Sequence, residues 1–208
     1  MRRTRIQLAL LATTAILAAC PVCRAKAEEP SLEYKVKAAC LYNFIKFIEW
    51  PDDKTSDSST PITIGILGED NFGTAFNEIT SRKIRDRNLV VKKISDFSAE
   101  NAKPELLKCR LVFVSTSQRQ HTGEVIELLR NKPVLLVGEN DGFIEAGGII
   151  NFVMQDNKVC FEINADSAEE AQLKMASQLL RLAKRVIKSG KSQSSNAVGI
   201  MLQNMRGA

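Results

Sequence analysis

Side chains able to do covalent or acid–base work are few in this sequence and widely scattered. His121 is the single histidine, and no serine or cysteine near it makes a nucleophile–base pair, so solvation on a helix surface is its expected role. Cys40, Cys109 and Cys160 lie 69 and 51 residues apart, which matches no zinc-ligand spacing. They are candidates for redox chemistry or a disulfide, or else small buried hydrophobes. The one close pair, Cys20 and Cys23, lies near the start of the chain. Gly65, Gly68 and Gly73 surround Glu69-Asp70-Asn71 between a strand and a helix, the place where an α/β protein holds phosphate. Their spacing is neither G-x-G-x-x-G nor a P-loop, and the two acids would repel an anion. Asp52-Asp53 and Glu169-Glu170 read most simply as a loop and a helix start. No catalytic set, metal site or cofactor is expected. What remains is binding. Asp70 and Phe72 in the glycine turn, with Asn151 and Asn164 beside Phe161, are candidate ligand contacts. The two asparagines serve equally well as partners for strand and turn backbone. A loop bracketed by Asp141-Gly142-Phe143 and Gly147-Gly148 follows the end of a strand, the edge where open α/β sheets take ligands.

The elements that would position these residues follow from the hydrophobic spacing. Ser31 caps a helix running to about residue 47, with Val36, Cys40, Leu41, Phe44, Phe47 and Ile48 as its apolar stripe and Lys35, Lys37, Asn43 and Lys46 on other faces. Trp50-Pro51 ends it. Strands are expected at 62–67, 89–94, 111–115 and 134–137, with helices at 72–79 and 121–130. Short, nearly all-apolar strands alternating with amphipathic helices predict a mostly parallel, Rossmann-like α/β sheet flanked by helices in a single domain, residues 31–188. Strands at 149–154 and 158–163 make a C-terminal β-hairpin across Gln155-Asp156-Asn157. Asp166 or Ser167 is then expected to cap one long final helix, with Glu169 or Glu170 as capping-box partner. Ala171, Met175, Leu179, Leu182 and Val186 would form its inward stripe, and Ser189-Gly190 its stop. Residues 189–208 read as a flexible tail.

The first residues read as an export signal: Arg2, Arg3 and Arg5, then an uncharged apolar run at 6–19 that is too short to span a bilayer comfortably. Ala25-Lys26-Ala27 offers a cleavage site that makes 1–27 the leader. Leu17-Ala18-Ala19-Cys20 resembles a lipoprotein box, in which Cys20 is lipidated and 1–19 is removed. The leader through Ala27 holds Arg2, Arg3, Arg5, Arg24 and Lys26 and no acid. Of 29 Lys+Arg and 24 Asp+Glu in the whole chain, 24 of each therefore remain, so the mature product is neutral. That balance gives no electrostatic footprint for nucleic acid. No second hydrophobic segment approaches transmembrane length, so the expected location is the periplasm, free or lipid-anchored through Cys20.

Ordered blocks add a resemblance. The stretch KAACLYNFIKFIEWP at 37–51 resembles the opening signature of the YfiR family, and IGILGEDNFG at 64–73 and CRLVFVS at 109–115 resemble its next blocks. PVLLVG at 133–138, Phe143, GGIINF at 147–152 and FEIN at 161–164 continue in the same order. The resemblance spans roughly residues 33–188. It implies a small periplasmic regulator, often dimeric, that binds the periplasmic sensor part of an inner-membrane diguanylate cyclase and represses it, with envelope signals including redox state relieving the repression. Redox control in such proteins rests on paired cysteines. Here Ile64 and Val153 stand where partners for Cys109 and Cys160 would be expected, leaving Cys40 as a substitute partner. On the first helix, Tyr42, Lys46 and Trp50 are candidate partner-binding residues, although Trp50 equally suits packing of the helix end. A periplasmic small-molecule-binding or transport accessory protein is the alternative function.

Overall fold

The computed structural model describes residues 30–53, 59–188 and 191–194. The proposed leader, Cys20 and most of the tail lie outside the described residues. Helix α1 (Leu32–Phe47) begins where expected: the Ser31 side chain accepts a hydrogen bond from the Tyr34 N–H, which satisfies one of the otherwise orphaned first-turn donors. It ends as the chain becomes extended at Ile48. Strand β1 (Ile48–Glu49) follows, then β2 (Ile62–Leu67), α2 (Asn77–Thr80), β3 (Lys83–Ile84), β4 (Arg87–Ile94), α3 (Ala102–Leu106), β5 (Leu111–Val114), α4 (Thr122–Leu129) and β6 (Leu135–Gly138). The C-terminal part comprises β7 (Ile150–Gln155), β8 (Lys158–Asn164), α5 (Ala165–Glu170), β9 (Lys174–Met175), α6 (Ser177–Leu182), β10 (Arg185–Lys188) and β11 (Lys191–Ser194).

The main sheet runs β11-β10-β8-β7-β6-β5-β2-β4-β3. Pairing is parallel from β4 through β2, β5 and β6 to β7, and antiparallel across the β7–β8 hairpin. This is the expected mostly parallel α/β sheet with a C-terminal hairpin. Strands β5 and β6 are buried along their whole length, as strands covered on both faces must be. Helix α1 lies on one face. There Phe44 meets Phe161 edge-on (5.0 Å between ring centroids) and stacks on Phe152 (5.7 Å).

Several local expectations change. The helix expected at 72–79 is helical only from Asn77 onwards. Gly73 adopts a positive φ of 49°, and residues before it are held by turn bonds such as Ala75 N–H to Phe72 O (2.8 Å). These turns bury Phe72 and Phe76 together, with rings 4.8 Å apart. The single long final helix is also not formed. Helix α5 stops at Gln172, which takes the left-handed conformation (φ 58°). The N–H groups of Gln172 and Leu173 close back onto Glu169 O and Ala168 O (both 2.9 Å), the pattern of a Schellman stop. Leu173 is thereby driven into the core, and β9 pairs with β1 through Ile48↔Met175 and Glu49↔Lys174. The chain then returns as α6 and as β10, parallel to β8. Burial of Leu173 and this strand pairing outweigh helical spacing. The cap of α5 is Asn164, not Asp166 or Ser167: its Oδ1 accepts from the Ser167 N–H at 3.0 Å. Residues 191–194, expected within the tail, pair with β10 as β11.

Candidate functional site

At the carboxyl ends of β2, β5 and β6 the sheet meets the first turns of α1. Glu139 directly follows β6, Thr116 lies just beyond β5 and Asn71 beyond β2. Lys37, expected on an outward face, instead points inward and is 4% exposed. Its ammonium donates to Glu139 Oε2 (2.7 Å) and Glu33 Oε1 (2.5 Å) and sits 4.5 Å from the Tyr34 ring centroid. Glu139 Oε1 accepts from the Thr116 N–H and hydroxyl (both 3.1 Å). The Tyr34 hydroxyl donates to Glu139 at 3.2 Å and accepts from Asn71 Nδ2, also at 3.2 Å. Burial lowers the Lys37 pKa, but the hydrogen bonds it donates to Glu139 and Glu33 more than offset this and leave it raised. The Tyr34 phenol is pushed up by burial and by the Glu139 charge. The edge where an open α/β sheet ordinarily takes ligands is thus filled here by the chain's own helix.

The sequence-derived candidates fall into different surroundings. Asp70 accepts from the Phe72 N–H (3.0 Å) and pairs with Lys93 (2.5 Å), shaping its own turn. Phe72 is fully buried, edge-on to Tyr34 (5.1 Å) and Phe113 (5.0 Å). Asn164 uses both ends of its side chain on backbone: the α5 cap, and Nδ2 to Ile144 O (2.8 Å). Asn151 is buried, and its Oδ1 has no hydrogen-bond partner. Lys46 is exposed on α1 with its ammonium 5.5 Å from the ring of Tyr42, which is half-buried and packs against the hydrophobic core. Trp50 is 5% exposed, with the Arg110 guanidinium 5.8 Å from its ring, so it packs the end of α1.

Cys40, Cys109 and Cys160 are all free and buried. Burial, reinforced by the Cys160 charge, pushes the Cys40 thiol up to about 12, and burial pushes Cys109 up to about 11. Cys109 packs on β2 so closely that a Cβ at Gly65 would lie 2.8 Å from its sulfur. Cys160 adjoins Phe161, whose ring faces Phe44 on α1, and strand alternation turns Cys160 to the opposite face of the sheet. Cys40 and Cys160 are not joined to each other, and the raised pKa values disfavour the reactive thiolate.

Sequence reasoning missed Lys37, Tyr34, Glu139, Thr116 and Asn71. One signal was available: Lys37 shares the helical face of Leu41 and Ile48, an unusual place for a lysine with no buried partner.

These features define a class: an open α/β domain, its described cysteines free and buried, whose ligand edge is closed by its own first helix. A family description, YfiR/HmsC-like, matches residues 34–184, and the chain belongs to that family. Membership of that family supports a regulatory role in cyclic di-GMP signalling in general. Among curated proteins, none matches it significantly. Among solved structures, it is similar to an ABC domain from Streptococcus pneumonia in complex with L-Trp (17% identity, TM-score 0.51, 72% of this chain and 60% of that one). It is also similar to a conserved domain protein from Vibrio cholerae O1 biovar El Tor (9% identity, TM-score 0.48, 74% and 60%). The chain spans 60% of the length of each. The first likeness concerns the fold alone. No helix among the described residues is long and apolar enough to cross a membrane.

Proposed function

We propose that the protein is exported to the periplasm and represses an inner-membrane diguanylate cyclase by binding its periplasmic sensor domain. Family membership across residues 34–184 carries this reading. What supports a docking role for α1 is that its inner face is buried against the sheet, with Lys46 exposed and part of the Tyr42 ring exposed beside it. A tyrosine beside a long cation offers apolar contact and charge with little ordering cost once the helix is rigid. Repression then requires only that one conformation of the cyclase binds better than the other; about 3 kcal/mol of differential affinity shifts such a population more than a hundredfold. The functional unit in this reading is a homodimer, free in the periplasm or lipid-anchored through Cys20. A disulfide switch is no part of it, since all three described cysteines are free and buried.

The test is cellular cyclic di-GMP with and without this chain. A rise on deletion, reversed by the exported form and not by a leaderless one, is the expected result. Unchanged levels across several envelope stresses would sink the reading. A periplasmic small-molecule-binding protein is the second reading, and the buried, partnerless Oδ1 of Asn151 favours it.

A further inference from the structure

The opposite face of the sheet from α1 carries an unmet polar demand. Asn140 is 5% exposed and Asn151 3%. Asn140 Nδ2, Asn140 Oδ1 and Asn151 Oδ1 have no hydrogen-bond partner. Such atoms are costly to bury unpaired, and native folds rarely leave them so without a bound species. The two residues share one place. Asn151 pairs across the sheet with Gly138, and Asn140 lies two positions beyond Gly138. Asn140 stands in the bend just past the end of β6, where its carbonyl accepts from the Phe143 N–H (3.2 Å), and the Phe143 ring packs over Gly138, the register partner of Asn151.

Residues 141–148 fold over that side. The Phe143 ring lies where Gly138 and Gly148 have no side chains; a Cβ at those positions would come within 2.5 and 2.1 Å of it. Gly142 and Gly147 hold positive φ angles of 75° and 111°, conformations only glycine adopts without strain. The loop is latched at two points. Asn164 Nδ2 holds Ile144 O (2.8 Å), and Glu145 accepts from Arg185 (2.5 Å). Arg185 is itself anchored on Glu162 (2.7 Å), the sheet neighbour of Asn151.

We propose that Asn140 and Asn151 form the floor of a small-ligand site, with residues 141–148 as its lid, and that the group it takes is a primary carboxamide. The unpaired atoms are two carbonyl oxygens and one amide nitrogen that carries two N–H donors. A primary carboxamide carries complementary groups: its two N–H donors can meet the two oxygens while its own oxygen accepts from the Asn140 nitrogen. A carboxylate would set its oxygens against two carbonyl oxygens, and an ammonium would leave the Asn140 donor unpaired. The ligand enters when the lid lifts about its glycines and the Glu145–Arg185 latch opens. This site does not depend on the cyclase reading, and neither failing would refute the other.

The test uses the exported full-length protein with benzamide and its isostere benzoate, followed by saturation-transfer NMR and crystal soaking. Benzamide is expected to bind and benzoate to bind at least about tenfold more weakly, since each lost hydrogen bond strands a buried partner. Asn140→Leu and Asn151→Leu should each abolish the benzamide signal. Glu145→Gln, which loosens the lid without touching the floor, should speed benzamide exchange while leaving the protein folded. Equal binding of the two probes would overturn the proposal. So would benzamide binding unchanged in Asn140→Leu. A single ordered water bonded to all three atoms and undisplaced by saturating benzamide would overturn it as well. Should the leucine variants fail to fold, the benzamide–benzoate ratio on the native protein and the Glu145→Gln exchange rate still decide it.

Discussion

Glu139 and Asn140 are consecutive in the chain, yet the two faces of the sheet treat them differently. On the α1 side, the Glu139 side chain is 5% exposed and is met by Lys37, Tyr34 and Thr116. On the lid side, both polar atoms of the Asn140 side chain are unpaired. A satisfied buried network fixes geometry, because any movement breaks several charge-assisted bonds at once. An unsatisfied one favours whatever can complete it. The first face suits a rigid platform that presents α1 to a protein partner, and the second suits a place that responds to a small molecule. The contrast teaches that burial alone does not identify a site; what matters is whether the buried polar groups already have partners.

The largest effect should come from breaking the closed side. Lys37→Met leaves Glu139 buried without its cation and is expected to cost about 3–5 kcal/mol in chemical denaturation. Adding Glu139→Leu should recover much of that loss, because an apolar pair can replace a buried ion pair. A double variant no more stable than Lys37→Met would show that Glu139 is held mainly by its other partners. The same face should weaken in alkali. The Cys40 pKa is raised from 9.0 to about 12 in the fold, and Lys37 and Tyr34 are also raised. Their contributions are complete below the unfolded-state values. They fall as the pH rises from about 9 towards 12, because the unfolded chain releases these protons first. Melting temperature should therefore drop across that window, and replacing Cys40 by alanine should flatten the drop.

On the lid side the expected effects are smaller. Asn164→Ala removes the α5 cap and the bond to Ile144 O and should cost about 1–2 kcal/mol. Faster hydrogen exchange should follow across residues 141–148. Exchange confined to α5 would separate the cap from the lid. Smaller still, Gln172→Gly relieves a positive φ and should stabilise by about 0.5–1 kcal/mol, partly offset by the flexibility that glycine adds to the unfolded chain.

Much of the fold was legible because its signals are local. Ser31 and Trp50-Pro51 bracket α1, and the apolar runs of β2, β5 and β6 mark a covered parallel sheet. The polar clamp was not legible because Lys37 and Glu139 are 102 residues apart, and no spacing rule links them. The C-terminal error has a similar origin. Ala171, Met175, Leu179 and Leu182 fit one helix, but the left-handed turn at Gln172 is imposed by tertiary demands, the burial of Leu173 and the pairing of β9 with β1. Asn151 was legible as a polar residue in an apolar strand. Its neighbour Asn140 was hidden in a glycine-flanked loop, where asparagine is ordinary.

The central claim is that α1 is a rigid platform with a binding face on its outer side. The direct test is calorimetric titration of the exported protein with the periplasmic domain of an inner-membrane diguanylate cyclase from the same cell, using the native chain and a Tyr42→Ala, Lys46→Glu variant. Lys46→Glu, at an exposed position, should change stability by no more than about 0.5 kcal/mol, and Tyr42→Ala, half-buried against the core, should cost about 1–2 kcal/mol. The native protein should bind, and the variant, still folded at the titration temperature, should bind at least about tenfold more weakly, a loss of about 1.4 kcal/mol. Full native affinity in the variant, or no binding by the native chain, would contradict the account.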